Sequence, residues 1–119
     1  MVFVKFTETG KCFIPRCSLS PRGVFSFNHA ARKKFLMDLY SFAIFYYDPK
    51  KNLVGIELTN DENLQGAIKI RLRPTGADIA VKKFTDFFQI TPKVTTIYPI
   101  EFDLFKENRA ILNLNSKTP

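Results

Sequence analysis

The feature that most constrains this chain is an internal similarity between two of its segments. Residues 20–35 read SPRGVFSFNHAARKKF and residues 73–88 read RPTGADIAVKKFTDFF. Aligned end to end, they place Gly23 opposite Gly76, and each continues into a strand pattern, an Asp-containing turn and a final strand pattern. A repeat can set a whole architecture, and this one predicts two copies of a strand–strand–helix–strand–strand unit. Chance similarity between two ordinary α+β patterns is the alternative.

The repeat also predicts the domain organisation. Unit one covers about residues 12–58, a polar linker covers 59–66, and unit two covers about 67–114. A unit of about fifty residues cannot enclose a core by itself, so the two units should pack around one core. The length of 119 residues, 45% of them apolar, suits one domain. We therefore predict a single domain, 1–119, of the α+β class and mainly β: a barrel-like antiparallel sheet with two short helices.

Local signals place the helices and strands. Asn28 is a good N-cap for a first helix over 29–36. A second helix is predicted over 81–90, with Phe84, Phe87 and Phe88 facing the core. Alternating or continuous apolar runs predict the strands, which are 2–6, 12–19, 24–27, 39–47, 53–58, 67–73, 78–80, 95–102 and 109–114.

The charge balance of the chain is basic. There are 18 Lys and Arg against 11 Asp and Glu, a net charge of +7. Residues 1–60 carry nine basic and four acidic groups, whereas residues 61–119 carry nine and seven. Clustered positive charge favours binding to nucleic-acid phosphates, because neutralising them releases condensed counterions. Ordinary solubility charge is the alternative. The thirteen Phe and four Tyr are expected to fill the core rather than to stack on bases.

Several other classes of protein lack their residue patterns here. The longest uncharged apolar run, 39–47, is too short to span a bilayer, and residues 1–11 carry no export signal, so we expect a cytoplasmic protein without a membrane segment. Cys12, Cys17 and His29 are too few for a closed zinc site. Reduced cysteines are favoured over a short-loop disulfide. No nucleophile lies at a recognisable spacing from His29, and no phosphate-binding loop is present, so we expect no catalysis, metal or cofactor.

Three features follow one another in unit one: Gly23 in a turn, Arg32 in the middle of a short helix, and Asp48 in a hairpin turn. With the strands around them, this order resembles the swapped-hairpin domain of AbrB- and MazE-type transcription regulators and antitoxins. A duplicated unit in one chain further resembles the cradle-loop barrels, in which one chain supplies both halves. The chain is also similar to uncharacterised bacterial and phage-type proteins with a Tyr-Asp-Pro turn. The resemblance implies a barrel fold and transcription regulation through DNA binding.

Swapped-hairpin regulators contact DNA through basic residues on one face of the barrel. The resemblance therefore implies a nucleic-acid-binding set of four residues from each unit, namely Arg16, Arg22, Arg32 and Lys33, and Arg71, Arg73, Lys82 and Lys83. A pseudo-twofold axis between the units would join both groups into one basic surface. The alternative is an ordinary amphipathic strand over 67–73 and a solvated helix face at 32–34.

Two functions therefore remain open at the level of sequence. The favoured one is a non-catalytic nucleic-acid-binding regulator or accessory protein, with DNA as the expected ligand. The other is a protein-binding module, such as a phage or mobile-element accessory factor, whose exposed strand edges accept a strand from a partner. A monomer is expected if the two units close one barrel, and a homodimer if each unit swaps with another chain.

Overall fold

The strands of this protein alternate buried and accessible side chains, as strands with one face on a core do. The computed structural model describes residues 14–103 and 108–115. In those residues there are nine strands: β1 Arg16–Leu19, β2 Val24–Asn28, β3 Phe42–Asp48, β4 Leu53–Thr59, β5 Ile68–Lys69, β6 Arg71–Arg73, β7 Gly76–Ala80, β8 Thr96–Phe102 and β9 Arg109–Asn113. The α-helices are α1 His29–Lys34 and α2 Lys82–Phe87, and a 3-10 helix covers Met37–Leu39.

The strands form one antiparallel sheet that nearly closes into a barrel. Their order is β5-β3-β4-β9-β8-β1-β2-β7-β6. The two end strands are consecutive in the chain and are separated only by Ile70, whose amide donates to the carbonyl of Ser41 at 2.9 Å. The segment 68–73 therefore pairs with β3 through its first part and with β7 through its last part. One bent segment thus joins the two ends of the sheet.

The pairing pattern has twofold symmetry between the predicted units. Exchanging the units turns β1·β2 into β6·β7, β1·β8 into β5·β3, and β3·β4 into β8·β9. The pairs β2·β7 and β4·β9 are exchanged with themselves. Four of the eight pairings therefore run between units, so the strands interleave instead of forming two separate sheets. The order of elements is the duplicated strand–strand–helix–strand–strand pattern that the sequence predicts.

The two helices end in equivalent ways on the core. Each is followed by a Phe that packs on a ring of the other unit: Phe35 lies 5.4 Å from Phe102 of β8, and Phe88 lies 5.0 Å from Tyr47 of β3, between ring centroids. The residue after each of these Phe has a left-handed φ, 55° and 54° respectively. Because the aromatic rings carry much apolar area, these contacts tie each helix to the opposite unit.

Each turn before a central strand is seated against the other unit. Gly23 has a φ of +75°, and a Cβ there would lie 2.5 Å from the Cα of Lys82. The carbonyl of Gly23 accepts a 2.7 Å hydrogen bond from the amide of Val81, at the start of α2. In the other unit a Cβ on Gly76 would lie 1.9 Å from the carbonyl oxygen of Phe27. Both positions therefore require the absence of a side chain.

The structure confirms the fold class and corrects several details. The mainly β, barrel-like antiparallel sheet with two short helices is present. Asn28 caps α1 as predicted, since its side chain accepts from the amide of Ala31. The second helix is shorter than predicted, and the placement of Phe87 in the core is wrong because its side chain is exposed. The predicted strand 2–6 and Cys12 lie outside the described residues.

Candidate nucleic-acid interface

The eight basic residues implied by the resemblance lie on one part of the barrel. Strands β1, β2, β7 and β6 are consecutive neighbours in the sheet, and each unit's helix directly follows its central strand, β2 or β7. The eight residues lie on these strands, in the turn between β1 and β2, or on the two helices: Arg16, Arg22, Arg32, Lys33, Arg71, Arg73, Lys82 and Lys83. The topology therefore brings both predicted groups to the same four-stranded part of the molecule.

The outer face of these four strands is polar. Cys17, Leu19, Phe25 and Phe27 are buried, so the residues between them point away from the core. One row across the outer face consists of residues in register, namely Ser18, Ser26, Asp78 and Arg71. A groove of about 240 Å³ lies over this face, and hydroxyl, amide and charged side chains line it. Such a surface offers donors for phosphate oxygens and base edges.

Asn28, the last residue of β2, organises the neighbouring part of this face through its side chain. The amide of Arg16 donates to Asn28 Oδ1 at 3.1 Å, and the same oxygen accepts from the amide of Ala31 at 2.8 Å. The Nδ2 of Asn28 donates to the carbonyl of Ile14. The single Asn side chain thus fixes the start of β1 against the start of α1, and it holds the backbone of Arg16 in place beside the polar face.

Charge is strongly segregated in this fold. Residues 14–38 and 68–89, which contain these four strands and both helices, carry ten basic and three acidic side chains. The remaining described residues carry four basic and six acidic side chains. The excess of seven positive charges on one part of the barrel equals the net charge of the whole chain. Such a separation favours a positive potential over these four strands and two helices.

The guanidinium of Arg32 is engaged by other groups of the protein. Its Nε and Nη2 donate to the two carboxylate oxygens of Asp38, at 2.6 and 3.1 Å. Its Nη1 donates to the carbonyl of Arg73 and, at 3.3 Å, to that of Gly76. The fork therefore bridges α1 to the turn of unit two. The hydrogen bond between the Asp38 carboxylate and the Arg32 guanidinium lowers the pKa of Asp38 from its usual value and raises the pKa of Arg32. Arg32 is thus a positioning residue of this surface.

Two further predicted residues have acidic partners, and five do not. Arg73 pairs with Asp78 on the neighbouring strand, and Lys82 Nζ lies 3.3 Å from the carboxylate of Asp86. Among the described residues the other five form no ion pair: Arg16, Arg22, Lys33, Arg71 and Lys83. Four of these five are exposed, and Arg16 is half-buried. Of the eight predicted residues, these five are the ones available to an anionic ligand.

The predicted group omits two exposed lysines of the same region. Lys34 is the last residue of α1, and Lys69 is the last residue of β5, directly before Ile70. The side chain of Lys34 is exposed, whereas that of the next residue, Phe35, is buried. Alternation along 67–73 is the signal that identifies Lys69, because it shares the polar side of that segment with Arg71 and Arg73.

The described residues give little support for a metal site, a reactive thiol or a membrane-spanning helix. In the ranges 14–103 and 108–115, no three His, Cys, Asp or Glu side chains lie close enough together to hold a metal ion. Cys17 is fully buried on β1, and burial raises the pKa of its thiol well above the usual value, which leaves it a poor nucleophile. No helix within those ranges has both the length and the apolar character needed to span a bilayer.

No protein-family model, curated protein or solved structure matches this chain. The charge distribution and the site geometry are therefore the basis for a functional proposal.

Proposed function

We propose that this protein is a non-catalytic nucleic-acid-binding regulator or accessory protein, and that it binds phosphates with the basic part of its barrel. The observation that carries the proposal is the segregation of charge: residues 14–38 and 68–89 hold ten basic and three acidic groups. Binding would neutralise these groups and release counterions from the nucleic acid, which gives an affinity that falls steeply with salt. DNA is the expected ligand.

The arrangement of the unpaired cations supports a ligand that runs across the sheet. Lys33 lies on α1, which begins directly after the end of β2. Arg22 and Lys83 lie near the start of β2, which pairs with the end of β7. A five-residue strand is about 15 Å long, so the two groups are separated by more than one nucleotide. Arg71 lies between them along the register of the sheet. A polymer of phosphates can satisfy such spaced cations, which a single small anion cannot.

The proposal is tested by titrating labelled duplex DNA, single-stranded DNA and RNA with the protein over a salt series. We expect a steep linear fall of log K with log salt for at least one of them. The triple variant Arg22→Ala, Lys33→Ala, Lys83→Ala should reduce the magnitude of that slope by about three if each side chain contacts one phosphate. Arg32 is left intact because its loss would disturb the contact between units.

A matched variant controls for net charge. The variant Lys50→Ala, Lys51→Ala, Lys93→Ala also removes three positive charges, but from outside the two basic segments, residues 14–38 and 68–89. We expect it to bind with nearly the wild-type slope, since these lysines lie outside the proposed surface. Equal weakening by the two triple variants would mean that only net charge matters, and it would contradict the proposed surface. No salt-dependent binding to any of the three nucleic acids would contradict the function itself.

Strand addition from a protein partner has less support. That alternative needs an available sheet edge, and the two end strands of this sheet are consecutive parts of the segment 68–73. The first part of the segment is paired with β3 and its last part with β7, so each end strand already has one neighbour. These end strands are only two and three residues long, so a partner strand would find few backbone groups to pair with.

A further inference from the structure

Phe87 is the most exposed of the large hydrophobic side chains that the structure describes, at 79%. The other anchors of α2 explain its direction. Phe84 packs 5.6 Å from Phe45 of β3, Phe88 packs on Tyr47, and Thr85 is fully buried. With these residues facing the barrel, Phe87 points to solvent. A single exposed apolar side chain is common on protein surfaces, so a ligand at Phe87 is inferred from the residues around it.

The exposed ring packs against a neighbouring ring. Its centroid lies 4.9 Å from that of Phe88 with an interplanar angle of 83°, an edge-to-face contact. Phe88 is itself fixed by Tyr47 at 5.0 Å and by Phe84 at 5.3 Å. Because the ring already has this contact while most of its area stays accessible, part of its rotamer freedom is lost before any stacking on a ligand.

One basic side chain lies on the same side of α2 as this ring, and another lies in a turn near the start of the helix. Lys83 lies four residues before Phe87, so the two side chains share one side of the helix. The one acidic residue of α2, Asp86, is engaged by Lys82 at 3.3 Å, which leaves Lys83 without an ion pair among the described residues. Arg22 lies near the start of α2, because the next residue, Gly23, is in contact with Val81 and Lys82. A backbone phosphate bound by Lys83 or Arg22 would bring its base to the ring.

The fold itself does not require an aromatic ring at this place. Phe87 is the last residue of α2, and the last residue of α1 is Lys34; each precedes the Phe that packs on the opposite unit. Lys34 is exposed and causes no break in α1. The two equivalent positions therefore differ in chemistry: one helix presents a charge to the ligand, and the other presents a ring.

We propose that Phe87 stacks on an unpaired nucleobase, so that the basic surface prefers single-stranded nucleic acid, or an unpaired base beside a duplex, to continuous duplex. The inference rests on the proposed nucleic-acid binding and names the class of ligand. Base–aromatic stacking tolerates any base, because every base has a π-face, and it acts together with cations that follow the backbone. Bases inside a continuous duplex are already stacked and do not present a face to a side chain.

The test compares Phe87→Leu and Phe87→Trp with the wild type. We expect Phe87→Leu to weaken binding of a single-stranded oligonucleotide by about 5- to 100-fold, the range typical of losing one stacked base. Its affinity for duplex and the slope of log K against log salt should stay as in the wild type, because no phosphate contact is removed. Phe87→Trp should retain binding, and its fluorescence should be quenched by the oligonucleotide. Thermal unfolding should be nearly unchanged in both, since the side chain is exposed.

A matched control and an abasic ligand complete the test. Tyr46 is also exposed, at 55%, but lies on β3 outside the basic segments, so Tyr46→Leu should not alter binding. An abasic oligonucleotide should bind wild type and Phe87→Leu equally. Equal single-strand affinity of Phe87→Leu and wild type would overturn the stacking role, while a salt slope still reduced by the Arg22, Lys33, Lys83 variant would leave the proposed function standing. Loss only of binding to anionic lipid vesicles in Phe87→Leu would also overturn it.

Discussion

Arg32 has a different role from its basic neighbours, although all of them share one surface. Its N–H groups donate hydrogen bonds to the Asp38 carboxylate and to two carbonyls of unit two. The next residue, Lys33, is exposed and has no ion pair with a described residue. A planar guanidinium suits this task because its donors diverge in a fixed fork. Two adjacent basic residues thus separate into one that shapes the surface and one that can contact a ligand.

This division of roles is testable through stability. Arg32→Lys should lower the thermal midpoint, because an ammonium cannot reach the carboxylate and both carbonyls at once. Asp38→Asn should lower it as well, and the double variant should lose less than the sum, since the two side chains interact. Because the pKa of Asp38 is lowered in the folded state, its contribution is present above about pH 4 and is lost as the pH falls.

The measurement is thermal unfolding of the wild type and of Asp38→Asn from pH 7 down to pH 3. The difference between their midpoints should shrink as the pH falls, because protonation of Asp38 removes the same charge that the substitution removes. A difference that stays constant over this range would show that the ion pair contributes nothing. Lys33→Ala should leave the midpoint nearly unchanged throughout.

Cys17 makes stability depend on alkaline pH. Its thiol is buried in β1, in register with Tyr98 of β8, and burial raises the pKa of both groups. In the unfolded chain the thiol ionises near pH 8.5, while in the folded chain it stays neutral. The stability is therefore fully present below about pH 8.5 and falls as the pH rises. Urea unfolding at pH 7–10 should show this fall, and it should be smaller in Cys17→Ala.

At the scale of elements, Gly76 permits the close pairing of β2 and β7. A Cβ at this position would lie 1.9 Å from the carbonyl oxygen of Phe27, which is backbone and cannot move without opening the ladder. We expect Gly76→Ala to lower the free energy of unfolding by roughly 2–4 kcal/mol in urea titrations. Gly55→Ala is the control: its Cβ would lie 3.4 Å from the Cβ of Tyr46, an ordinary contact, and its effect should be small. Equal effects would contradict the close approach.

The internal repeat was enough to predict the elements and the class of fold, but not the contacts between units. Its order of strands and helices and the cap at Asn28 are local, so they can be read from neighbouring residues. The carbonyl partners of Arg32 are 41 and 44 residues away and meet it only when the strands interleave. No pattern in the sequence around Arg32 carries that information.

The direction of Phe87 could not be predicted for a related reason. A helix over 81–90 would have enough turns for an apolar stripe, and three Phe would then fall on it. The actual helix is only Lys82–Phe87, and the chain after it turns through a left-handed residue, Gln89. In such a short helix the packing of Phe84 and Phe88 on β3 decides the orientation, and that packing comes from the other unit. Tertiary contact overrides the periodicity.

At the scale of the whole molecule, the interleaved strands predict that neither unit can form its native sheet alone. The pairs β1·β8, β3·β5, β2·β7 and β4·β9 all join one unit to the other. If the chain is divided in the turn region 60–67, between β4 and β5, each half keeps its hairpins but loses these four ladders. We expect the two fragments, 1–63 and 64–119, to lack a cooperative unfolding transition when separate, because each would expose its apolar face.

Mixing the fragments should restore the barrel and, with it, the basic surface. The two halves of that surface come from different units, since Arg22 and Lys33 belong to the first fragment and Lys83 to the second. We therefore expect a one-to-one complex by light scattering, a recovered unfolding transition, and salt-dependent binding with the slope of the intact chain. A single fragment that unfolds cooperatively as a monomer would contradict the interleaving. A fragment that folds only as a dimer of itself would instead show that one unit can take the place of the other, as twofold symmetric pairing allows.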